Sequence, residues 1–96
     1  MDGGFEWDAA KAAGNLTKHR ISFEQGSRIF RSQALDWLNI EVIDGELRYI
    51  AIGEVDLRCL VVVYTLRGDD AIRIISARRA TRREQDNYYR TNYSDG

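Results

Sequence analysis

The residues best able to do chemistry are arginines grouped near the carboxyl end of the sequence. Residues 73–90 hold six arginines against two acids, although the whole 96-residue chain has a net charge of −1. Guanidinium groups bind phosphate through paired hydrogen bonds and stay charged at every physiological pH. The group predicts a site for nucleic acid or an acidic partner, with a solvated helix face as the alternative. Its members are Arg73, Arg78, Arg79, Arg82, Arg83 and Arg90.

An arginine site of this kind can serve cleavage of RNA by the RNA's own 2′-hydroxyl group. That reaction needs a group that takes the hydroxyl proton, cations for the phosphorane charge and a proton donor for the leaving oxygen. The chain has one histidine, and no cluster of histidine, cysteine and carboxylates has the spacing of metal ligands. We therefore expect neither a metal ion nor a cofactor.

Five residues are candidates for the catalytic roles. Arg78 is the strongest because it ends a predicted strand and belongs to the third of the residue blocks described below. The free N–H groups at the start of the next predicted helix also favour an anion. Strict alternation places Arg73 and Arg78 on opposite faces of that strand, so both can serve one site only if a bulge or the strand end re-aims one of them. The candidates are Arg78, Arg48, Arg73, Glu84 and His19.

Two further groups could contact RNA. Four polar residues of the first predicted helix have spacings that place them on one helical face, which is either a wall over the RNA or a solvated surface. Three arginines and a tyrosine near the last helix form the second group, and the tyrosine is either a base-stacking group or a core anchor. The groups are Lys11, Asn15, Lys18 and His19, and Arg79, Arg82, Arg83 and Tyr88.

Glu84 has two interpretations. Thr81 and Glu84 have the spacing of a capping box, in which the glutamate completes the first turn of a helix. The alternative is a catalytic role or a role in orienting a nearby arginine. The sequence does not choose between them.

Periodicity and turn signals predict one α+β domain over residues 1–96, with an antiparallel four-stranded sheet, two helices at its amino end and one at its carboxyl end. Asp44-Gly45 is a two-residue hairpin turn. We expect Leu16, Trp7 and Trp37 in the core and Cys59 as a buried thiol. The predicted helices cover 8–20, 23–31 and 81–93, and the predicted strands cover 38–42, 47–53, 57–67 and 71–77.

Three ordered blocks of residues resemble the BrnT family, the ribonuclease toxins of bacterial toxin–antitoxin pairs. The resemblance covers about residues 5–88 and departs from the family where Arg31-Ser32-Gln33 lacks a frequent Asp-Pro. The first block holds 5–8, Lys11, Asn15, Lys18, His19 and 21–23, the second holds Glu46, Arg48 and Gly53, and the third holds 73–78, Ala80, Thr81, Glu84 and Tyr88.

The resemblance implies a RelE-like fold, RNA cleavage and a cognate antitoxin with a ribbon-helix-helix DNA-binding domain. It also implies that the complex of the two proteins represses their operon, with operator DNA contacted only through that complex. The sequence shows no apolar segment of membrane-spanning length and no signal-peptide pattern, so we expect a cytoplasmic protein. A non-catalytic protein that only holds RNA or an acidic partner is the alternative.

Overall fold

The computed structural model of the protein describes residues 4–68 and 70–93. All three predicted helices are present, and the second is a short α-helix that continues into a 3-10 helix at Arg28–Arg31. The helices are α1 (Ala9–His19), α2 (Phe23–Ser27) and α3 (Arg82–Tyr93), and the strands are β1 (Phe5–Glu6), β2 (Asp36–Ile43), β3 (Glu46–Val55), β4 (Arg58–Arg67) and β5 (Ala71–Arg79).

The sheet of the described residues has five strands in the order β1-β5-β4-β3-β2, so the prediction of four strands is wrong. The four predicted strands are antiparallel, whereas the additional strand β1 pairs with β5 in parallel, Phe5 beside Ile72 and Glu6 beside Arg73. A strand of two residues has no alternation to read, which is why the sequence pattern missed it.

The larger part of the core lies between the sheet and α1 and α2. Phe23 and Ile29 are fully buried there against Val62 and Ile74 of the central strands. Gly26 allows α2 to approach closely, because a Cβ atom at this position would lie 2.9 Å from the Cβ of Ala77. We call this side of the sheet the helix side.

The opposite side of the sheet is covered only in part. Tyr88 of α3 packs there against Ile52, Cys59 and Val61, and the prediction of a buried Cys59 is confirmed. Arg48 and Arg73, on the same side, lie outside this cluster and are only half-buried. We call this side the arginine face.

Two predicted core residues are not in the core. Leu16 is 48% exposed, because α1 turns Asn15 rather than Leu16 toward the sheet. Trp37 is 53% exposed and its indole N–H donates to the Tyr64 hydroxyl at 2.8 Å. Trp7 packs against the helix-side core as expected. No described helix is long and apolar enough to cross a membrane.

Candidate active site

A β-bulge in β5 brings Arg73 and Arg78 to the same face of the sheet. Ser76 pairs with Val63 and Ile74 pairs with Tyr64, which leaves Ile75 as an extra residue. Beyond the bulge, Arg73 pairs with Thr65 and Arg78 pairs with Val61. Thr65 and Val61 are four residues apart on a strand without an extra residue, so their neighbours share one face. The sequence alone required either a bulge or a re-aimed strand end for a common site, and the structure has the bulge.

Arg48 belongs to the same face. Its neighbour Tyr49 pairs with Tyr64, so Thr65 lies between Arg48 on one side and Arg73 on the other. Two strand spacings separate the backbones of Arg48 and Arg73, which is about 10 Å, and both side chains are long enough to meet a common substrate. Three arginines from two strands therefore lie on one side of the sheet, with Arg48 and Arg73 on the part that α3 leaves open and Arg78 beside the first turn of α3.

Arg73 and Arg48 are each held beside a carboxylate. The Arg73 guanidinium donates to Glu6 at 3.0 Å. The Arg48 Nε atom lies 3.5 Å from a Glu46 oxygen, and it is buried without a hydrogen-bond partner among the described residues. A buried N–H donor without a partner is costly, so the Arg48 side chain is held in this position at the expense of one hydrogen bond.

Arg78 and Glu84 form the shortest of the three ion pairs at the site, and it has two hydrogen bonds. The two terminal nitrogens of Arg78 donate to the two Glu84 oxygens at 2.8 and 3.0 Å. Glu84 also accepts the Thr81 backbone N–H, and the Glu84 N–H donates to the Thr81 hydroxyl, so the predicted capping box is confirmed. Glu84 thus ties Arg78 at the end of β5 to the first turn of α3.

These contacts decide the charge state of the pair. The hydrogen bonds from Arg78 are the main reason why the pKa of Glu84 falls to about 2, and Glu84 in turn raises the pKa of Arg78. A carboxylate with so low a pKa is a weak base near neutral pH, so its geometry supports an orienting role rather than proton abstraction.

Arg78 keeps donors free for a substrate. A guanidinium group has five N–H donors. Two are used by Glu84 and one donates to the Arg79 carbonyl at 3.2 Å. Two donors therefore remain for the oxygens of a phosphate group.

We expect Glu84→Gln to destabilise the protein by about 2 kcal/mol at pH 7, a value discounted because Arg78 is partly exposed. Since the folded-state pKa is lowered from 4.5 to about 2, the stabilisation is complete above pH 4.5 and is lost as the pH falls toward 2. Urea unfolding of both proteins at several pH values measures this. An equal difference in the free energy of unfolding between the two proteins at pH 2.5 and pH 7 would contradict the stabilising role of the Arg78–Glu84 pair.

The polar residues predicted on α1 are not with the arginines. α1 packs on the helix side of the sheet, where Asn15 is buried. The side-chain amide of Asn15 forms hydrogen bonds with the backbone of Ile21 and Ala77. Lys11 and Lys18 are exposed, and His19 is half-buried at the end of the helix. The structure therefore separates His19 and these lysines from Arg48, Arg73 and Arg78.

The arginines beyond Arg78 form a second basic area. Arg79 and Arg82 line a cavity of about 310 Å³ at the beginning of α3 together with Arg58. Arg83 is exposed on the same helical turn, whereas Tyr88 is buried and its hydroxyl donates to the Ala34 carbonyl at 2.5 Å. Tyr88 is thus a core anchor. We call Arg58, Arg79, Arg82 and Arg83 the basic rim.

Sequence reasoning missed the carboxylate that holds Arg73 and the polar residues between the arginines. Glu6 lies on the two-residue strand and gave no periodic signal. Thr65 and Ser76 could have been found by marking every polar residue in an otherwise apolar strand. In the described ranges, 4–68 and 70–93, no three histidine, cysteine or carboxylate side chains are grouped to hold a metal ion.

The comparisons with known proteins agree with each other. Residues 7–84 match the family described as "Ribonuclease toxin, BrnT, of type II toxin-antitoxin system". A crystal structure of the Brucella abortus ribonuclease toxin BrnT is similar, with a TM-score of 0.63 and 27% identity, covering 82% of this chain and 97% of that chain. No curated protein matches the chain. The matched range contains Arg48, Arg73, Arg78 and Glu84.

Proposed function

The chain belongs to the BrnT family of ribonuclease toxins of type II toxin–antitoxin systems, and we propose that it is an endoribonuclease that needs no metal ion. Its cleavage of RNA in the cytoplasm inhibits translation and growth. The observation that carries the proposal is the placement of Arg48, Arg73 and Arg78 on one side of the sheet, where the bulge at Ile75 brings Arg73 to the same face as Arg78.

The proposed reaction is transfer of the phosphate within the RNA chain. The 2′-hydroxyl loses its proton to water as its oxygen bonds to the adjacent phosphorus. The bond from phosphorus to the 5′-oxygen breaks and that oxygen takes up a proton from water, so the products are a 2′,3′-cyclic phosphate and a 5′-hydroxyl. Extra negative charge develops on the phosphate oxygens in the transition state, where preorganised donors stabilise it. The two free donors of Arg78 support this role.

We expect purified protein to cleave RNA at an unchanged rate in the presence of EDTA and to leave 2′,3′-cyclic phosphate ends. The reason is that guanidinium groups supply the positive charge that a metal ion supplies in other nucleases. Mass spectrometry of the products identifies the ends, and Arg78→Ala controls for a contaminating nuclease. Cleavage that requires added Mg²⁺ would exclude this mechanism, and absence of any cleavage would favour a protein that only binds RNA.

The family also supports a protein partner for this chain. We propose that a cognate antitoxin with a ribbon-helix-helix domain neutralises the toxin, and that the complex represses the operon. The basic rim is suited to an acidic segment, and Leu57, 89% exposed with a φ of 68°, lines the same cavity. Leu57 lies in the two-residue turn between β3 and β4, where a partner docked at the cavity would cover its exposed apolar surface.

We expect the double substitution Arg79→Glu with Arg82→Glu to weaken antitoxin binding by at least roughly tenfold, mostly through slower association. The matched control is Lys18→Glu with Arg31→Glu, which makes the same charge change at exposed positions outside the basic rim. Surface plasmon resonance at two salt concentrations measures both rates. Equal affinities of the two folded variants would show that the basic rim is not the docking surface.

A further inference from the structure

A second cavity lies beside the arginine face and has no role in the chemistry described above. It has a volume of about 350 Å³ and lies between α3 and β2. Its lining includes Glu84, whose carboxylate is bonded to Arg78 at 2.8 Å. One side chain therefore separates the cavity from the guanidinium group that would hold the scissile phosphate.

The walls of this cavity are partly apolar. Ile52 of β3 contributes to the lining, and so does Leu38. A second bulge, between Trp37 and Asn39, leaves Leu38 outside the strand ladder. A planar ring can pack against aliphatic side chains of this kind, which commonly line ligand pockets.

The polar groups of the cavity have hydrogen-bonding capacity to spare. One Asp36 oxygen accepts from Asn92 at 2.7 Å, and the other has no partner among residues 4–68 and 70–93. The Asn87 carbonyl oxygen accepts from Arg90 at 2.7 Å, which leaves the amide N–H donors of Asn87 without a partner in that part of the chain. The cavity thus offers a carboxylate acceptor and an amide donor.

We propose that this cavity binds the nucleobase next to the scissile phosphate and selects guanine. The inference rests on the proposed ribonuclease function and names the base that its site prefers. Guanine presents neighbouring N–H donors on its Watson–Crick edge, which suit the Asp36 carboxylate, and acceptors at O6 and N7, which suit the Asn87 amide. A uracil ring offers a single N–H donor and therefore makes fewer hydrogen bonds with the Asp36 carboxylate than guanine does.

The first test uses NMR to measure how guanosine monophosphate and uridine monophosphate bind to the whole protein. We expect guanosine monophosphate to shift the amide signals of Leu38 and Asn87 and to bind roughly tenfold more tightly than uridine monophosphate. Asp36→Asn keeps an oxygen for Asn92 but turns a donor toward the cavity, and it should abolish the difference. Glu41→Gln, which removes the same charge from an exposed position on β2, should preserve it.

The second test is sequencing of the ends that the protein produces from a random RNA pool. Cuts next to guanine should exceed cuts next to uracil by roughly tenfold, and Asp36→Asn and Asn87→Ala should each reduce that ratio. Equal nucleotide affinities, or an unchanged ratio in both variants, would overturn the inference. Guanosine binding at the cavity without RNA cleavage would support the base site and count against the proposed ribonuclease function, so the two failures are distinguishable.

Discussion

We expect the replacement of Arg78 by alanine to lower the rate of RNA cleavage by roughly 10²–10³, the usual effect of removing one positioned donor from a transition state. Arg78 has two free N–H donors, and its orientation is fixed because Glu84 holds both terminal nitrogens. The substitution leaves Glu84 partly exposed and still bonded to the Thr81 N–H, so the protein should remain folded. The rate is measured on purified protein with a defined RNA substrate, and toxicity by growth after induction.

The control for this prediction is Arg31→Ala. Arg31 is exposed and lies in the 3-10 helix outside the arginine face, so the same chemical change there should leave cleavage unaltered. Arg78→Lys adds a second comparison, because a lysine keeps the charge but loses the paired geometry. A folded Arg78→Ala protein with the rate of the unmodified protein would remove Arg78 from the mechanism.

Replacing Asn15 by alanine should destabilise the protein by about 3 kcal/mol or more. The Asn15 amide makes three hydrogen bonds, two donated to the carbonyls of Ile21 and Ala77 and one accepted from the Ala77 N–H. All three are buried, so the substitution leaves backbone groups unsatisfied, each at a cost of about 1–3 kcal/mol. Urea unfolding at pH 7 measures the loss.

The adjacent residue provides the control. Leu16→Ala removes more apolar surface than Asn15→Ala, but from a half-exposed position, and should change the free energy of unfolding by less than about 1 kcal/mol. The outcome is opposite to what residue hydrophobicity alone predicts. If Leu16→Ala proved the more damaging of the two, the orientation of α1 against the sheet would be wrong.

Local signals in the sequence were enough for most of the secondary structure. Asp44 and Gly45 both have positive φ, as the predicted two-residue hairpin turn requires. The Ser22–Gln25 capping box is present with both of its hydrogen bonds. These features depend on contacts within three residues, which is why they can be read from the chain without knowledge of the fold.

Features that depend on distant contacts could not be read in this way. Asn15 is buried because the backbone of Ala77, 62 residues away, needs hydrogen-bond partners. The two-residue strand β1 exists because the edge of β5 is available to it. Leu16 and Trp37 were misplaced for the same reason, since hydrophobicity does not say which residues the rest of the chain will cover.

For the site, residue chemistry identified Arg78, Arg48, Arg73 and Glu84 as candidates, and the structure brings all four to one side of the sheet. The structure does not bring His19 to that side. The sequence could not predict this, because residue spacing identifies a helical face but not the side of the sheet on which the helix packs. Arg73 and Arg78 lie on the same face because of a bulge, and the sequence alone does not show that the bulge is present.

The bulge at Ile75 also bears on how this strand tolerates insertions and deletions. Ile75 is an extra residue of β5 that has no partner in the pairing with β4. Loss of the Ile75 codon would therefore leave a regular strand in which Arg73 and Arg78 still share a face. A relative with a shorter strand would align to this chain only through a one-residue gap. Two versions of the gene that differ in length at this point could therefore encode the same arrangement of arginines.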